Sequence, residues 1–552
     1  METKLPDAEA AAVEAALEAW TKGDGTRRLL SGDAALWTGS DEARWLGWLH
    51  APETWTPELA HYRTLADGIR EDGVRHALLL GMGGSSLCCE VLARTFGSGP
   101  GCPILEVVDS TVPSQIRAVD TRIDPRRTIC FVSSKSGSTI ETDVARRHFF
   151  ERIGDPQRFI AITDPGSGLE KRATEEGWRA VAHGEPEIGG RFSALSPFGL
   201  LPAAVLGIDV EDLLGRARRL AGEVGPAVEL GVMLGALAAA GRDKLTLVLS
   251  PGLASLGAWL EQLIAESTGK NGRGIVPVDG EGLAASERYG RDRAFAYVRL
   301  ASAPDPDQDH ALEALAAAGQ PVLRIDVESP AELGAEFYRW QIATAAAGAV
   351  LGVNPFDQPD VEAAKVAARG LVTAYEESGE LPETAARLSS GVLSAYADDA
   401  NAAALGPAAD LQSLLAAHLG RIGAGDYLAL NAFVERCDAH AAPLEALRHR
   451  VRDATGAATT LGFGPRFLHS TGQLHKGGPN SAVVLEVTAH DAEDLPIPGQ
   501  RMSFGVLKDA QSRGDFDVLC ERRRRALRVH VAEGDVSEGL EALAAAVDSA
   551  LA

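Results

Sequence analysis

The chain opens on polar segments whose apolar residues recur at helical spacing, as in METKLPDAEAAAVEAALEAW, and this pattern predicts helices over residues 1–72. Trp20, Trp37, Trp45 and Trp48 in that stretch demand a surface to pack against. From residue 73 the pattern changes. Short apolar runs alternate with amphipathic stretches: HALLLGMGG (76–84), ILEVVDS (104–110), TICFVSS (128–134) and RFIAITD (158–164). Runs that are apolar throughout predict strands buried on both faces of a parallel sheet, with helices as the crossovers. The pattern restarts at KLTLVLS (244–250) and continues through GIVPV (274–278), AFAYVRL (294–300) and PVLRIDV (321–327), which predicts a second lobe. An Ala-rich segment near 205–242 connects the two. Residues 330–455 read mostly as helices, and YLALNAFV, AVVLEVTA and ALRVHV predict three strands of a further layer. The expected fold is α/β. An N-terminal helical segment (1–72) precedes two doubly wound parallel-sheet lobes of three-layer αβα form (73–230 and 231–375). A C-terminal helical and α/β region (376–552) follows.

Composition is that of an ordinary globular protein, 45% hydrophobic and 24% charged. The formal net charge of −24 speaks against non-specific binding to nucleic acid or to an anionic membrane. An anionic ligand must then be captured by a local positive site, against the global field. No apolar run approaches the roughly 18 residues of a bilayer span, and the N-terminus lacks a signal-type apolar core, so a cytoplasmic protein is expected. The cysteines Cys88, Cys89, Cys102, Cys130, Cys437 and Cys520 form no CxxC pair and read as reduced thiols. No His/Cys cluster suggests a metal, and no GxxxxGK[ST] pattern suggests a nucleotide site, so neither metal nor organic cofactor is expected. The basic run at 522–525 reads as a solvated or subunit-contacting face.

In open α/β sheets ligands bind at the carboxyl ends of the strands. One such end is LLLGMGGSSL (78–87), where Gly84 and Ser85 begin a helix and a backbone can approach an anion. A glycine turn that merely packs strand on helix accounts for it equally. FVSSKSGSTIET (131–142) says more. Ser134, Lys135, Ser136 and Thr139 bring hydroxyls and an ammonium to one helix start, with Ser138 and Glu141 at capping-box spacing. One capping serine would suffice for a helix, whereas several hydroxyls with a lysine fit a phosphate dianion.

The serine loop resembles the SKTxxTxET phosphate loop of the glucose-6-phosphate isomerase family, and GMGGS resembles that family's GIGGS turn. ESTGK (266–270) is similar to the family's ESxGK motif, which implies that Glu266 is the proton-shuttling base. It lies near a helix end with Gly269 as a candidate C-cap, where the dipole disfavours an anion and strengthens a base. GGRFS (189–193) resembles the family's GGRxS segment, which implies that Arg191 faces a developing enediolate. FDQPDVEAAK (356–365) resembles FDQxGVExxK, implying that Lys365 assists ring opening; the spacing predicts one helical face for Asp357, Val361 and Lys365. Pro359–Asp360 replaces the family's aromatic–Gly pair.

The family's histidine falls between the glutamate and lysine motifs, where this chain has only His310 in a polar helix start. His475 in HSTGQLHKGGPN (469–480) is the expected ring-opening histidine and His469 the second candidate. Either the order of site residues differs from the common members or His475 has another task. The same late segment resembles the isomerase half of bifunctional transaldolase/glucose-6-phosphate isomerase proteins. The roughly 70 residues before the first strand cannot hold an eightfold barrel, so transaldolase activity is not expected. The resemblance implies glucose 6-phosphate/fructose 6-phosphate isomerisation on a sugar-phosphate substrate, and it suggests a homodimer. A phosphosugar isomerase also accepting mannose 6-phosphate and a non-catalytic phosphosugar-binding regulator are the alternatives.

Overall fold

The computed structural model describes residues 1–532 and 534–552. The chain begins with a short strand, β1 (Glu2–Lys4), and then runs through helices and 3-10 turns to Glu71. The first lobe holds β2 (His76–Leu80), β3 (Ile104–Val108), β4 (Thr128–Ser133), β5 (Phe159–Thr163) and β6 (Ala180–His183). They form one parallel sheet in the order β3-β2-β4-β5-β6. The second holds β7 (Lys244–Leu249), β8 (Val276–Val278), β9 (Arg293–Leu300) and β10 (Val322–Val327). Their order is β1-β10-β9-β7-β8, parallel except for β1, which pairs antiparallel with β10. The N-terminal segment is therefore not purely helical: its first residues complete the second sheet's edge.

The C-terminal sheet is larger than its three legible strands. It comprises β11 (Leu388–Ser390), β12 (Leu393–Tyr396), β13 (Tyr427–Phe433), β14 (Ala458–Phe463), β15 (Ala482–Ala489) and β16 (Arg525–Val531). The order is β11-β12-β16-β15-β13-β14, with the last four parallel and the first two antiparallel.

The tryptophans find their surface. Trp37 Nε1 donates to the carbonyl of Ala345 at 2.8 Å, and Trp48, fully buried, packs on Phe192 with ring centroids 5.0 Å apart. A buried ring of this size removes about 150–250 Å² from water, worth ~4–6 kcal/mol at about 25 cal/mol per Å². The N-terminal segment thus clamps the Arg191-bearing turn onto the Leu333–Leu351 helix. A second junction is ionic. Arg293 and Glu281, both without solvent exposure, pair at 2.7 Å, and Glu281 accepts from the Thr459 N–H at 2.7 Å. Arg293 also donates to the Ala457 carbonyl at 3.1 Å, so the pair joins the second sheet to β14. The Pro359–Ser378 helix leaves the second lobe and packs against the Phe504–Glu521 helix of the C-terminal region, over the mouth of the first sheet. No single helix is long and apolar enough to cross a membrane among the described residues.

Candidate active site

A cavity of about 700 Å³ lies beyond β4, walled by the serine loop, the Pro359–Ser378 helix, His469 and Gln511. Ser134, Ser136, Ser138 and Thr139 line it. Ser134 Oγ and Thr139 Oγ1 are 3.1 Å apart, Ser136 Oγ and Ser138 Oγ 2.9 Å apart, and the Gly137 N–H donates to Ser134 Oγ at 3.2 Å. The loop bends at Gly137 with φ +68°, where a Cβ would meet the Leu169 backbone. Its hydroxyls thus converge before the helix Ile140–Ile153. The cap differs from the expected box. Thr139 is the N-cap and makes no side-chain cap bond, and Glu141 points away from the helix start. Its buried carboxylate accepts from Gln511 Nε2 at 2.7 Å and lies 3.0 Å from His469 Nε2. Burial opposes that charge, but the His469 imidazole and the field of Lys365 hold the Glu141 carboxyl below its usual range.

Lys365 lines the cavity with its side chain exposed and in no ion pair among the described residues. Asp357 does not share its helical face, because the helix starts at Pro359. The Asp357 carboxylate instead takes Lys270 at 2.7 Å. Lys135 is also turned away from the cavity: its ammonium pairs with Asp164 and donates to the Pro186 carbonyl at 3.1 Å. Arg146, Arg172 and Arg369 line the cavity, each paired with a carboxylate of its own helix: Asp143 at 2.8 Å, Glu176 at 3.2 Å and Glu362 at 2.6 Å.

Directly behind His469 lies a second, drier group. Arg191 is 3% exposed and fully used. Its Nε donates to Ser267 Oγ at 2.8 Å, Nη1 to Gln358 Oε1 at 2.9 Å, and Nη2 to the carbonyls of Pro355 at 2.7 Å and Asp357 at 2.9 Å. Nη1 is also 3.5 Å from Glu266 Oε1. The other carboxylate oxygen accepts from Gln262 Nε2 at 3.1 Å, and the same amide donates to the His469 carbonyl at 2.7 Å. Gln262 is four residues before Glu266 on one helix, so both share a face. That helix, Leu256–Thr268, ends at Gly269 as its sequence suggests. Neither Glu266 nor Arg191 is among the residues lining the large cavity; the Gln262–His469 link joins the two groups. Burial and Arg191 push Lys270 down to about 7, opposed by Asp357 and Glu266.

The GMGG turn holds the halves in register. Gly83, at φ +53°, leaves room for Gln262 and the His469 carbonyl, 2.6 and 2.8 Å from where a Cβ would be. Gly84 is pressed on the carbonyl of Gly190, beside Arg191, so any Cβ there would strike backbone. Gly84 and Ser85 are buried and are not among the residues that line the cavity.

His475 sits elsewhere. It is 1% exposed, its Nδ1 lies 2.8 Å from the Tyr427 hydroxyl, and its Nε2 has no partner. Burial, with Lys476 and Arg524 nearby, pushes it down to about 3, so it stays neutral near pH 7. It does not line the cavity, whereas His469, six residues earlier, does. Gln262, Glu141, Gln358 and Gln511 went unread in the sequence as site residues. Only Gln262 carried a signal, its four-residue spacing from Glu266.

No family model matches the chain. It is 32% identical to the glucose-6-phosphate isomerase of Rubrobacter xylanophilus over 379 residues, spanning 58% of this chain and 87% of that relative. It is 33% identical to the glucose-6-phosphate isomerase of Thermus thermophilus over 381 residues, 59% of this chain and 89% of the relative. Among solved structures, a hypothetical protein from Thermus thermophilus superposes with a TM-score of 0.58 at 28% identity, over 68% of this chain and 100% of its own. A glucose-6-phosphate isomerase from Chlamydia trachomatis superposes with a TM-score of 0.50 at 20% identity, over 58% and 74% of the two chains, which speaks to the fold alone.

Proposed function

This chain belongs to the glucose-6-phosphate isomerase family, and from that premise we propose that it interconverts D-glucose 6-phosphate and D-fructose 6-phosphate through a cis-enediolate. The observation that carries this reading is the buried pair of Arg191 and Glu266, 3.5 Å apart and linked through Gln262 to a cavity of hydroxyls. A carboxylate held beside a guanidinium that is already anchored by four other acceptors is a positioned base with a fixed electrophile next to it. A protein that only bound phosphosugars would need neither.

In the proposed reaction the hydroxyls of Ser134, Ser136 and Thr139 hold the phosphate, with the N–H groups of the following helix start and the nearby arginines opposing its charge. His469 and Lys365 open the ring: one side chain gives a proton to the ring oxygen while the other takes the proton of the C1 hydroxyl, freeing the aldehyde. Glu266 then removes the C2 proton of the open sugar. The electron pair left on C2 becomes the C1–C2 double bond, and the charge passes to the oxygen on C1. Arg191 stabilises that charge through the positive charge of a guanidinium already fixed by its protein acceptors, so no reorganisation is needed as it develops. Return of the proton from Glu266 to C1, with the hydroxyl proton on O2 passing to O1 as the C2 carbonyl forms, yields the ketose. No step calls on a metal or organic cofactor. The proposal places the enzyme in the cytoplasm, where its free thiols stay reduced.

The test is a coupled assay of glucose 6-phosphate formation from fructose 6-phosphate, run in deuterated water, for wild type and Glu266→Gln. Wild type is expected to turn over and to place deuterium at C2 of the product; the variant, still folded, is expected to lose both. Turnover in the variant at the wild-type rate would exclude Glu266 as the base.

A further inference from the structure

The C-terminal sheet carries a second cavity, of about 450 Å³, that the isomerisation does not use. It sits toward the carboxyl ends of the parallel strands β15 and β16, the edge at which open α/β sheets take ligands. Thr488, His530 and Arg528 come from those strands, Tyr396 from β12, and Ser512 and Arg513 from the Phe504–Glu521 helix.

Arg528 is the anomaly. The residue is only 8% exposed, with the guanidinium 4.4 Å over the Tyr396 ring and 5.5 Å from that of Phe516. Yet its Nε has no hydrogen-bond partner, and no carboxylate is within ion-pairing distance among the described residues. Glu486, its cross-strand neighbour on β15, makes no ion pair with it, and burial with Asp515 pushes that carboxyl well above its ordinary range. A desolvated guanidinium with no counter-ion costs several kcal/mol, and an anion in the cavity would remove that cost. Arg513 adds a second guanidinium, tied to Thr384 Oγ1 at 3.1 Å, and Thr488 Oγ1 stands 2.8 Å from His530 Nδ1. The acids on the wall are solvated: Glu383 is exposed, and Asp509 is half exposed and 3.4 Å from Lys508.

We propose that this cavity is a binding site for a small phosphorylated molecule, distinct from the catalytic one, with Arg528 and Arg513 as its anion clamp and the hydroxyls of Ser512 and Thr488 as further contacts. Both cavities share the Phe504–Glu521 helix. Gln511, which donates to Glu141 behind His469, is the residue before Ser512. Occupancy is thereby placed one residue from a hydrogen bond that orients the catalytic cavity.

Calorimetric titration of the full chain with inorganic pyrophosphate tests this. Two sites are expected in wild type. Arg528→Gln and Arg513→Gln should each weaken one of them at least tenfold, with turnover in pyrophosphate-free buffer within about twofold of wild type. Ser136→Ala combined with Thr139→Ala should weaken only the other, and a failure of that arm would count against the catalytic phosphate loop and leave this site standing. One site in wild type, or two sites that neither arginine substitution disturbs, overturns the proposal. Arg513 is only partly buried, so its variant keeps the test decisive if loss of the Arg528 stacking unfolds the sheet.

Discussion

Replacing His469 by Gln separates chemistry from architecture. The glutamine amide can still donate to Glu141, which now accepts from His469 Nε2 across 3.0 Å, so the buried carboxylate keeps a partner. The Gln262 link to Glu266 is retained too, because it runs to the residue-469 carbonyl and not to the ring. What is lost is a side chain that can gain and release a proton at the cavity wall. Positioned acid–base groups contribute about 10²- to 10⁴-fold, which at about 1.4 kcal/mol per tenfold is ~3–6 kcal/mol of barrier. The expected result in the coupled assay is therefore a loss of that size in kcat on ring-closed fructose 6-phosphate, with the denaturation midpoint unchanged. His475→Ala should do the opposite. It strips the Tyr427 hydroxyl of its buried partner, costing roughly 1–3 kcal/mol of stability, and leaves kcat of the folded protein within a few fold. Should His475→Ala abolish turnover in folded protein while His469→Gln stays active, the assignment of the ring-opening histidine drawn from this geometry is refuted.

Three further outcomes follow from the packing. Gly84→Ala drives a methyl group into the Gly190 carbonyl and must displace the Arg191 turn; turnover should fall far more than binding of inorganic phosphate to the serine loop. Glu281→Ala leaves Arg293 buried and unpaired and should cost about 3–5 kcal/mol, read as a lower urea midpoint. Burial and Asp279 push Glu261 up from 4.5 to about 8, against the pull of Arg448 and Arg466. A carboxyl raised on folding lends stability that is complete below its unfolded value and is lost as pH climbs through about 8. Wild type should therefore lose more stability than Glu261→Gln between pH 6 and pH 9 in urea titrations.

The two lobes could be read from the chain because buried parallel strands are largely apolar runs, and β2, β4, β5, β7 and β9 are of that kind, while β10 alternates apolar residues with Arg324 and Asp326. Strands without that signature escaped. Ala180–His183 is short and half-buried, ATTLGF at β14 carries two threonines, and β11 with β12 lies on an antiparallel edge where one face is wet. Motif chemistry was equally local: a hydroxyl-rich turn after a strand, a glutamate at a helix end and a glycine pair each declare themselves within ten residues.

Which of these groups meet is another matter. His469 and His475 share one short segment of identical local character, and composition cannot rank them. The choice is made by Glu141, 328 residues away in sequence, whose carboxylate faces one ring, and by Tyr427, whose hydroxyl takes the other into the core. Lys135 reads as a phosphate ligand, and in the fold its ammonium pairs with Asp164 at the next strand's end. Backbone preferences and apolar periodicity act over a few residues, so sequence determined the elements and the inventory of reactive groups. Charge pairing and desolvation act through space, between residues the chain keeps far apart, so only the folded structure decided which groups stay free to react.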